Sequence, residues 1–139
     1  MLITKEIDYA LRILSGLEAD ELITVTELCS RELVPDPFAY KILKKLERGG
    51  LVDIIRGKHG GCRLACDLSV ITLYQLLTVI DESVSISACM DQEYECLRRK
   101  RNGTCPIHNK LSVIQKNLTD ELKKYTLSDL ISEKEEVCA

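Results

Sequence analysis

The sequence predicts a mainly α-helical fold with one small β-hairpin, and three observations support this. The 139-residue chain is long enough for one compact domain with an appended segment. Its aromatic content is only 4%, with one Phe and no Trp, so the core must be built from Leu, Ile and Val. These residues recur mostly at helical spacing, except between residues 51 and 65, where two apolar runs flank a glycine-rich turn.

Two amphipathic helices are predicted before residue 34. The first runs from about Thr4 to Leu17. Its apolar face is formed by Ile7, Ala10, Leu11, Leu14 and Leu17. The second begins at Thr24, which stands at capping-box spacing from Glu27, and continues through Leu33. Cys29 lies inside this helix, where a lone cysteine is more typical of the core than of a metal site.

A third helix, with a basic outer face, is predicted from Pro37 to about Arg48, with Asp36 as its cap. Its inward positions are Phe38, Ile42, Leu43 and Leu46. Its outward positions are Tyr40, Lys41, Lys44, Lys45 and Arg48. The hairpin follows directly, with strands at 51–55 and 62–65 and a basic turn at 56–61.

Two short helices and a basic hairpin in this order are typical of a winged helix-turn-helix DNA-binding domain. The formal charge of the chain is -3, yet residues 41–63 carry seven Lys or Arg against two acidic residues. This local excess on a helix-turn-helix predicts a double-stranded DNA partner. Because helix-turn-helix proteins usually bind as two-fold dimers, a palindromic operator is expected. The residues predicted to contact DNA are Tyr40, Lys41, Lys44, Lys45, Arg56, Lys58 and His59. Arg56 is assigned to the minor groove, and the lysines to phosphates.

A cysteine-rich segment follows a fourth helix that begins at Thr72. Cys89, Cys96 and Cys105 stand in a polar stretch, separated by six and eight residues. Burial does not explain cysteines in such a stretch, and thiolates bind iron–sulfur clusters, zinc or copper. The charged start of the chain, and the lack of about 18 consecutive apolar residues, favour a reducing cytoplasm over secretion or a membrane. The pattern therefore predicts a metal site.

A long amphipathic helix is predicted from Pro106, and its apolar stripe is wider than one small domain can cover. The stripe is predicted to form a homodimer interface, since helix-turn-helix proteins usually bind as two-fold dimers. Packing against its own domain is the alternative. The residues assigned to dimerisation are Ile107, Leu111, Ile114, Leu118 and Leu122. A short helix after Thr126 and an acidic tail complete the chain.

These parts divide the chain into four segments. Residues 1–80 form the winged helix-turn-helix domain, 81–105 the cysteine segment, 106–131 the dimerisation helix with the last helix, and 132–139 the tail. With the parts in this order, the sequence resembles the Rrf-type winged-helix regulators, which include the iron–sulfur cluster regulator IscR and the nitric-oxide-sensing repressor NsrR. The matching pieces are Thr4, residues 8–12, residues 56–61, Ile71 with Thr72, the three cysteines, and residues 125–130.

The resemblance implies a homodimeric transcription regulator, with a repressor expected, whose iron–sulfur cluster is held by Cys89, Cys96 and Cys105. In IscR-type proteins a histidine three residues after the last cysteine is the fourth ligand, and His108 has that position. In NsrR-type proteins an aspartate in the first helix of the other subunit serves, and Asp8 has that position. We place Asp8 first, because residues 8–12 look more like the nitric-oxide sensor. The cysteine spacings are wider than in well-known members, and a 4Fe-4S cluster is favoured slightly over 2Fe-2S.

Other functions stay open at this point. A regulator without a cofactor would use two cysteines as a reversible disulfide, and a zinc regulator would use three cysteines and a histidine. A small redox or metal-trafficking protein would not bind DNA. An enzyme is not expected, because no nucleophile–base pair, paired carboxylates or nucleotide motif is present. Cys62 and Cys66 are a weak candidate redox pair, and no role is assigned to Cys138.

Overall fold

The computed structural model describes residues 2–81 and 83–132 of the chain. Its elements in order are α1 (Lys5–Ser15), α2 (Val25–Glu32), α3 (Asp36–Arg48), β1 (Val52–Ile55), β2 (Gly61–Leu64), α4 (Leu73–Ile80), a 3₁₀ turn (Ala88–Met90), α5 (Leu97–Asn102), α6 (Pro106–Leu122) and α7 (Leu127–Ile131). The prediction of a mainly helical fold with one hairpin is confirmed. The predicted acidic tail, with Cys138, lies outside the described residues, apart from Ser132.

The core is built from α1, α3 and α4, with α2, the hairpin and α7 packed around them. Thr4 caps α1 by accepting a hydrogen bond from the backbone N–H of Ile7. The helical spacing then turns Ile7, Ala10 and Leu14 fully inward, as the sequence predicts. Ile13 joins them in the core, whereas Leu11 is only partly buried.

The start of α3 corrects two predictions. The helix already begins at Asp36, so this residue does not cap it, and Pro35 stands before the helix without a side-chain capping hydrogen bond. Phe38 is exposed, because Ala39 rather than Phe38 has the inward position of that turn. The Phe38 ring instead packs against Tyr9 of α1, with ring centroids 5.5 Å apart.

The hairpin pairs β1 and β2 in antiparallel register, with Val52 opposite Leu64 and Ile55 opposite Gly61. Gly60 is required at the turn, because a Cβ there would meet the backbone oxygen of Ile55. The backbone of Ile23 exchanges two hydrogen bonds with Cys62, at 3.1 and 2.8 Å. The wing is therefore fixed to the segment before α2.

The helices α4 and α7 each begin with a capping box, and backbone hydrogen bonds join the two helix starts. Thr72 and Gln75 form one at the start of α4, and Thr126 and Asp129 form the other at the start of α7. The backbones on either side of Thr72 bond to those around Thr126, so the two helix starts lie side by side. Between these elements, α6 begins at Pro106 as predicted and ends at Leu122. In the two described ranges, no helix is long and apolar enough to cross a membrane.

Candidate nucleic-acid interface and metal centre

A groove of about 590 Å³ separates α3 from the base of the wing. Its apolar floor consists of Val25, Leu43 and Ile54, and its rim carries Tyr40, Lys41, Lys44 and Arg56. The floor belongs to residues that the core positions, whereas the rim side chains are exposed to solvent. Lys58 and His59 are also exposed, in the turn between β1 and β2. The groove therefore combines an apolar base with three cations, a surface suited to a polyanion.

Lys45 stands apart from this group, although the sequence assigns it to phosphate contact. Its Nζ lies 2.8 Å from Oε1 of Glu6 and 2.9 Å from the carbonyl oxygen of Ile80. Lys41 also faces this carboxylate, with its Nζ 3.8 Å from Oε1 of Glu6, but its side chain is 66% exposed, against 29% for Lys45. Since this ammonium already has two partners within the chain, we leave Lys45 out of the candidate interface.

The three cysteines of the metal prediction meet in a second, smaller cavity of about 250 Å³. Cys89 comes from the 3₁₀ turn, Cys96 precedes α5 and Cys105 precedes α6. His108, in the first turn of α6, lines the same cavity. Asp8 does not line it, and its carboxylate pairs with Arg12 at 3.0 Å on the exposed face of α1. Within one chain, therefore, the fold brings His108 and not Asp8 to the cysteines.

Cys105 differs from the other two cysteines of the cavity in its burial and in its position at the start of a long helix. It is 7% exposed and lies outside the hydrophobic core cluster, at the N-terminus of the 17-residue helix α6. The thiol forms no capping hydrogen bond of standard geometry. Even so, the backbone N–H of His108 first, then that of Ile107, with Arg98 and Arg99, lowers the pKa of Cys105 against the effect of burial. This end of the cavity favours a thiolate.

Polar contacts hold two other members of the cavity, His108 and Cys89. Nη1 of Arg99 lies 3.1 Å from Nε2 and 3.3 Å from Nδ1 of His108, and because a guanidinium only donates, the ring nitrogen that bonds it must be the acceptor. The hydroxyl of Ser87 lies 3.3 Å from Sγ of Cys89. Soft thiol donors with an accepting imidazole are the ligand types that iron–sulfur clusters and zinc take.

The donor types alone do not select one metal centre. Three thiols and an imidazole are ligands that both an iron–sulfur cluster and a tetrahedral zinc ion accept. Among the residues that the structure describes, no three His, Cys, Asp or Glu side chains are grouped closely enough to hold one metal ion.

Comparison with known proteins assigns nearly the whole chain to one family. Residues 3–133 match the model of the Rrf2 family, described as iron-dependent transcriptional regulators. The chain belongs to the Rrf2 family. Protein aau3 of Rhizobium meliloti is 30% identical over 99% of this chain and 89% of its own length. The regulator NsrR of Bacillus subtilis is 28% identical over 99% of this chain and 94% of its own length.

Solved structures of the Rrf2 fold are similar along nearly the full chain. CymR, the global cysteine regulator of B. subtilis, has a TM-score of 0.67 at 20% identity, covering 96% of this chain and 98% of its own. IscR of T. potens has a TM-score of 0.65 at 18% identity, covering 98% and 90%. The resemblance to Rrf-type winged-helix regulators is thereby confirmed. This Rrf2 protein is a DNA-binding transcription regulator and not an enzyme.

The apolar stripe of α6 is divided in this Rrf2 chain. Leu122, predicted to contact a second subunit, is 8% exposed and buried in the core of its own chain, which corrects that assignment. Leu118 packs against the same core, and Leu111 lines the cysteine cavity. Ile107 and Ile114 are about half exposed, together with Val113, which sequence reasoning did not name. Only this N-terminal part of the stripe is available to a partner.

Gln115 is a functional candidate that sequence reasoning missed. Its Nε2 donates to the carbonyl of Val84 at 3.0 Å, and its Oε1 accepts from the backbone N–H of Ile86 at 2.8 Å. One side chain on α6 thus fixes the backbone just before Cys89. The signal available in the sequence was a polar residue four positions after Leu111 and three before Leu118, on the same helix face as both.

The other described cysteines lie away from the cavity. Cys29 is buried in the core, as predicted, and burial with the neighbouring carboxylate of Asp36 raises its pKa to about 11. Cys62 is fully buried, and its thiol points to the carbonyl of Ile23 at 3.4 Å. Cys66 is partly buried near the carbonyl of Leu51, and burial raises its pKa. No pairing of Cys62 with Cys66 is seen, since β2 ends at Leu64 before reaching Cys66.

Proposed function

We propose that this Rrf2 regulator is a homodimeric repressor whose binding to a palindromic operator is controlled by an iron–sulfur cluster. The observation that carries the proposal is the convergence of Cys89, Cys96 and Cys105 with His108 on one cavity at the start of α6. The relatives support it, because the matching family is described as iron-dependent. A regulator of this type would work in the cytoplasm, on genomic DNA.

Cys89, Cys96 and Cys105 would hold the cluster, with a fourth ligand from Asp8 of the second subunit or from His108. Three thiolates and one weaker ligand leave one iron atom open to attack by nitric oxide or oxygen, which suits a sensor of redox or iron–sulfur status. Within the chain, the start of α6 favours the Cys105 thiolate, Ser87 lies against Cys89, and Gln115 holds the backbone before it. A 4Fe-4S cluster is placed before 2Fe-2S.

The DNA would lie against α3 and the wing. Lys41 and Lys44 would neutralise phosphates, and Arg56, with Lys58 and His59 in the turn, would reach the neighbouring groove. Tyr40 is the rim residue able to contact base edges from α3, and no base preference is carried over from IscR-type proteins. The two subunits would meet through Ile107 and Ile114, the exposed part of the α6 stripe.

Anaerobic purification tests the cofactor. We expect a coloured protein with matching iron and sulfide contents, and loss of both in the Cys96→Ser variant. The Cys66→Ser variant is the matched control, since Cys66 does not line the cavity. Colourless, iron-free protein that binds its operator unchanged would disprove the proposal.

The fourth ligand is tested by two single substitutions. The variant Asp8→Ala is expected to shorten cluster lifetime in air if the partner's carboxylate binds iron, and His108→Ala is expected to do so if the imidazole binds. The double variant should form a dimer with a labile cluster. An unchanged lifetime in all three variants would show that neither residue is a ligand.

A thiol switch without a cofactor is the second candidate, and one observation favours it. The lowered pKa of Cys105 raises its fraction of thiolate, the species that attacks in disulfide exchange. Such a protein would be colourless when purified without oxygen, and mild oxidation would join two of the cavity cysteines. Peptide mapping after oxidation separates this mechanism from the cluster mechanism, and metal analysis separates both from a zinc site.

A further inference from the structure

One ammonium group connects three helices of the winged domain. Lys45 belongs to the last turns of α3, Glu6 to the first turn of α1, and Ile80 is the last residue of α4. The Nζ of Lys45 bonds to the Glu6 carboxylate at 2.8 Å and to the Ile80 carbonyl at 2.9 Å. The last carbonyls of a helix have no partner within the helix, and a lysine is a favourable donor to them. This contact therefore fixes α3 to the C-terminus of α4.

A second contact at the same place is steric. A Cβ on Gly49 would lie 2.7 Å from Cγ1 of Val79, closer than real Cβ atoms come to such a carbon. Gly49 ends α3 at an ordinary α-helical φ of -78°, so backbone conformation does not require glycine there. The close approach of the two helices does. The ends of α3 and α4 are thus joined by a hydrogen bond and by direct packing.

The cysteine segment begins at this junction. Ile80 is the last residue of α4, the buried Val84 follows closely, and Gln115 binds the backbone of residues 84–86 just before Cys89. On the other side of the junction, Lys45 follows directly after Lys44 and lies one turn beyond Lys41, two of the rim residues of the groove. The contact between Lys45 and the Ile80 carbonyl therefore connects the start of the cysteine segment to the helix that carries the candidate DNA-contacting side chains.

We propose that Lys45 is a positioning residue of α3, which couples the state of the cysteine segment to DNA binding instead of contacting DNA. When the segment after Ile80 changes its packing, the acceptor of the Lys45 hydrogen bond moves with it. The last turns of α3 are then held to the end of α4 in one state of the segment and released from it in the other. The inference rests on the proposed function for the identity of the signal, but the connection itself involves only residues of this chain.

The Lys45→Ala variant tests this, with Lys44→Ala as the matched neighbour. Removing one phosphate contact makes the slope of log K against log salt concentration about 0.9 less negative. We expect this change in slope for Lys44→Ala, and an unchanged slope for Lys45→Ala. A slope reduced equally in both variants would show that Lys45 is a phosphate contact and would overturn the inference.

The second readout is the ratio of operator affinities between cluster-loaded and cluster-free protein. Coupling in allosteric proteins typically amounts to about 5- to 150-fold. We expect Lys45→Ala to bring this ratio close to one and Lys45→Arg to retain most of it. The variant Gly49→Ala should also lower the ratio while leaving every charge in place. If Lys45→Ala weakened both forms by the same factor, its role would be purely structural and the proposal would be wrong.

Hydrogen exchange separates failure of this inference from failure of the proposed function. By reciprocity, operator binding to the cofactor-free protein should slow backbone exchange in residues 83–90, in the parent chain but not in Lys45→Ala. This measurement requires no cluster. Equal protection in both proteins would remove Lys45 from the connection, whatever the cofactor proves to be.

Discussion

The two parts of the chain, residues 2–81 and 83–132, differ in how they bury apolar side chains. Among the described residues, nineteen of the twenty-three buried hydrophobic side chains lie in the first part. The second part contributes Val84, Cys105, Leu122 and Leu127, although it contains the longest described helix. The core therefore belongs mainly to the winged domain. The second part leaves Ile107, Val113 and Ile114 exposed, and its three cysteines line one cavity.

This difference in burial explains how one chain can combine a rigid DNA-binding domain with a cysteine segment that can rearrange. Segments with few buried apolar contacts open at low free energy, whereas core helices open only with global unfolding. The cysteine segment is held to α6 by polar contacts such as those of Gln115. A change at the cysteines can therefore rearrange the cysteine segment without unfolding the DNA-binding domain.

Removal of a core side chain should have the largest effect. The variant Leu46→Ala, at a fully buried position of α3, should lower the free energy of unfolding by about 2–5 kcal/mol, because a cavity remains. The control is Leu97→Ala, at an 82% exposed position of α5, which should change it by no more than about 0.5 kcal/mol. Urea denaturation measures both values. Similar values for the two variants would contradict the comparison.

Thiol labelling should separate the two parts by reaction rate. A pKa of about 11, against an ordinary value of 9.0, leaves Cys29 with roughly 100-fold less thiolate near neutral pH, and burial adds steric protection. In native, cofactor-free protein, Cys89 and Cys96 should react with iodoacetamide at least about 100-fold faster than Cys29 and Cys62. Mass spectrometry of labelled peptides measures this. The contrast should disappear in denaturant, and equal native rates would mean that the winged core opens readily.

The same division decided what the sequence could predict. Helical periodicity and capping residues gave the elements of the first part, because its apolar faces are buried within the chain, as Ile7 and Leu14 show. Most failures there were local. Asp36 has a capping residue type, yet the helix begins one residue earlier than expected, and Ala39 takes the inward position expected for Phe38.

In the second part, the residue types predicted the site, whereas the contacts between residues could not be predicted from the sequence. Three cysteines and a histidine in a polar stretch indicated a site, and the structure brings all four to one cavity. The stripe of α6 gave no sign that Leu122 packs on its own chain while Ile107 and Ile114 stay exposed. In the first part, the one failure that was not local concerns Lys45, which contacts Glu6 and the Ile80 carbonyl 39 and 35 positions away, so no local pattern predicts its role.

A charge introduced into the exposed part of the α6 stripe should weaken dimerisation rather than lower the free energy of unfolding. The variant Ile114→Glu should raise the dimer dissociation constant by at least about tenfold, which corresponds to 1.4 kcal/mol. The control is Lys116→Glu, two residues along α6 and about 200° around the helix, on its opposite side. Analytical ultracentrifugation measures both. An unchanged constant for Ile114→Glu would show that dimerisation uses another surface.

The smallest expected effect concerns the contact between the two parts. Thr72 Oγ1 accepts from the backbone N–H of Gln75 at 3.2 Å, and Thr72 N–H donates to the Gln75 side chain at 2.8 Å. The variant Thr72→Ala should lower the free energy of unfolding by about 1 kcal/mol, because N-cap hydrogen bonds contribute about that much. Since Thr72 pairs with Thr126, amide exchange should increase in α7 more than in α1.

The control for this last prediction is Thr26→Ala, at an exposed position in the first turn of α2. Alanine is the better helix former there, so the free energy of unfolding should stay within about 0.5 kcal/mol or rise slightly. At Thr72 helix propensity does not enter, because the N-cap backbone is extended. The difference between the variants therefore isolates the cap. If exchange increased equally in α1 and α7, the two parts would unfold as one unit, and the contact around Thr72 would not be a boundary between them.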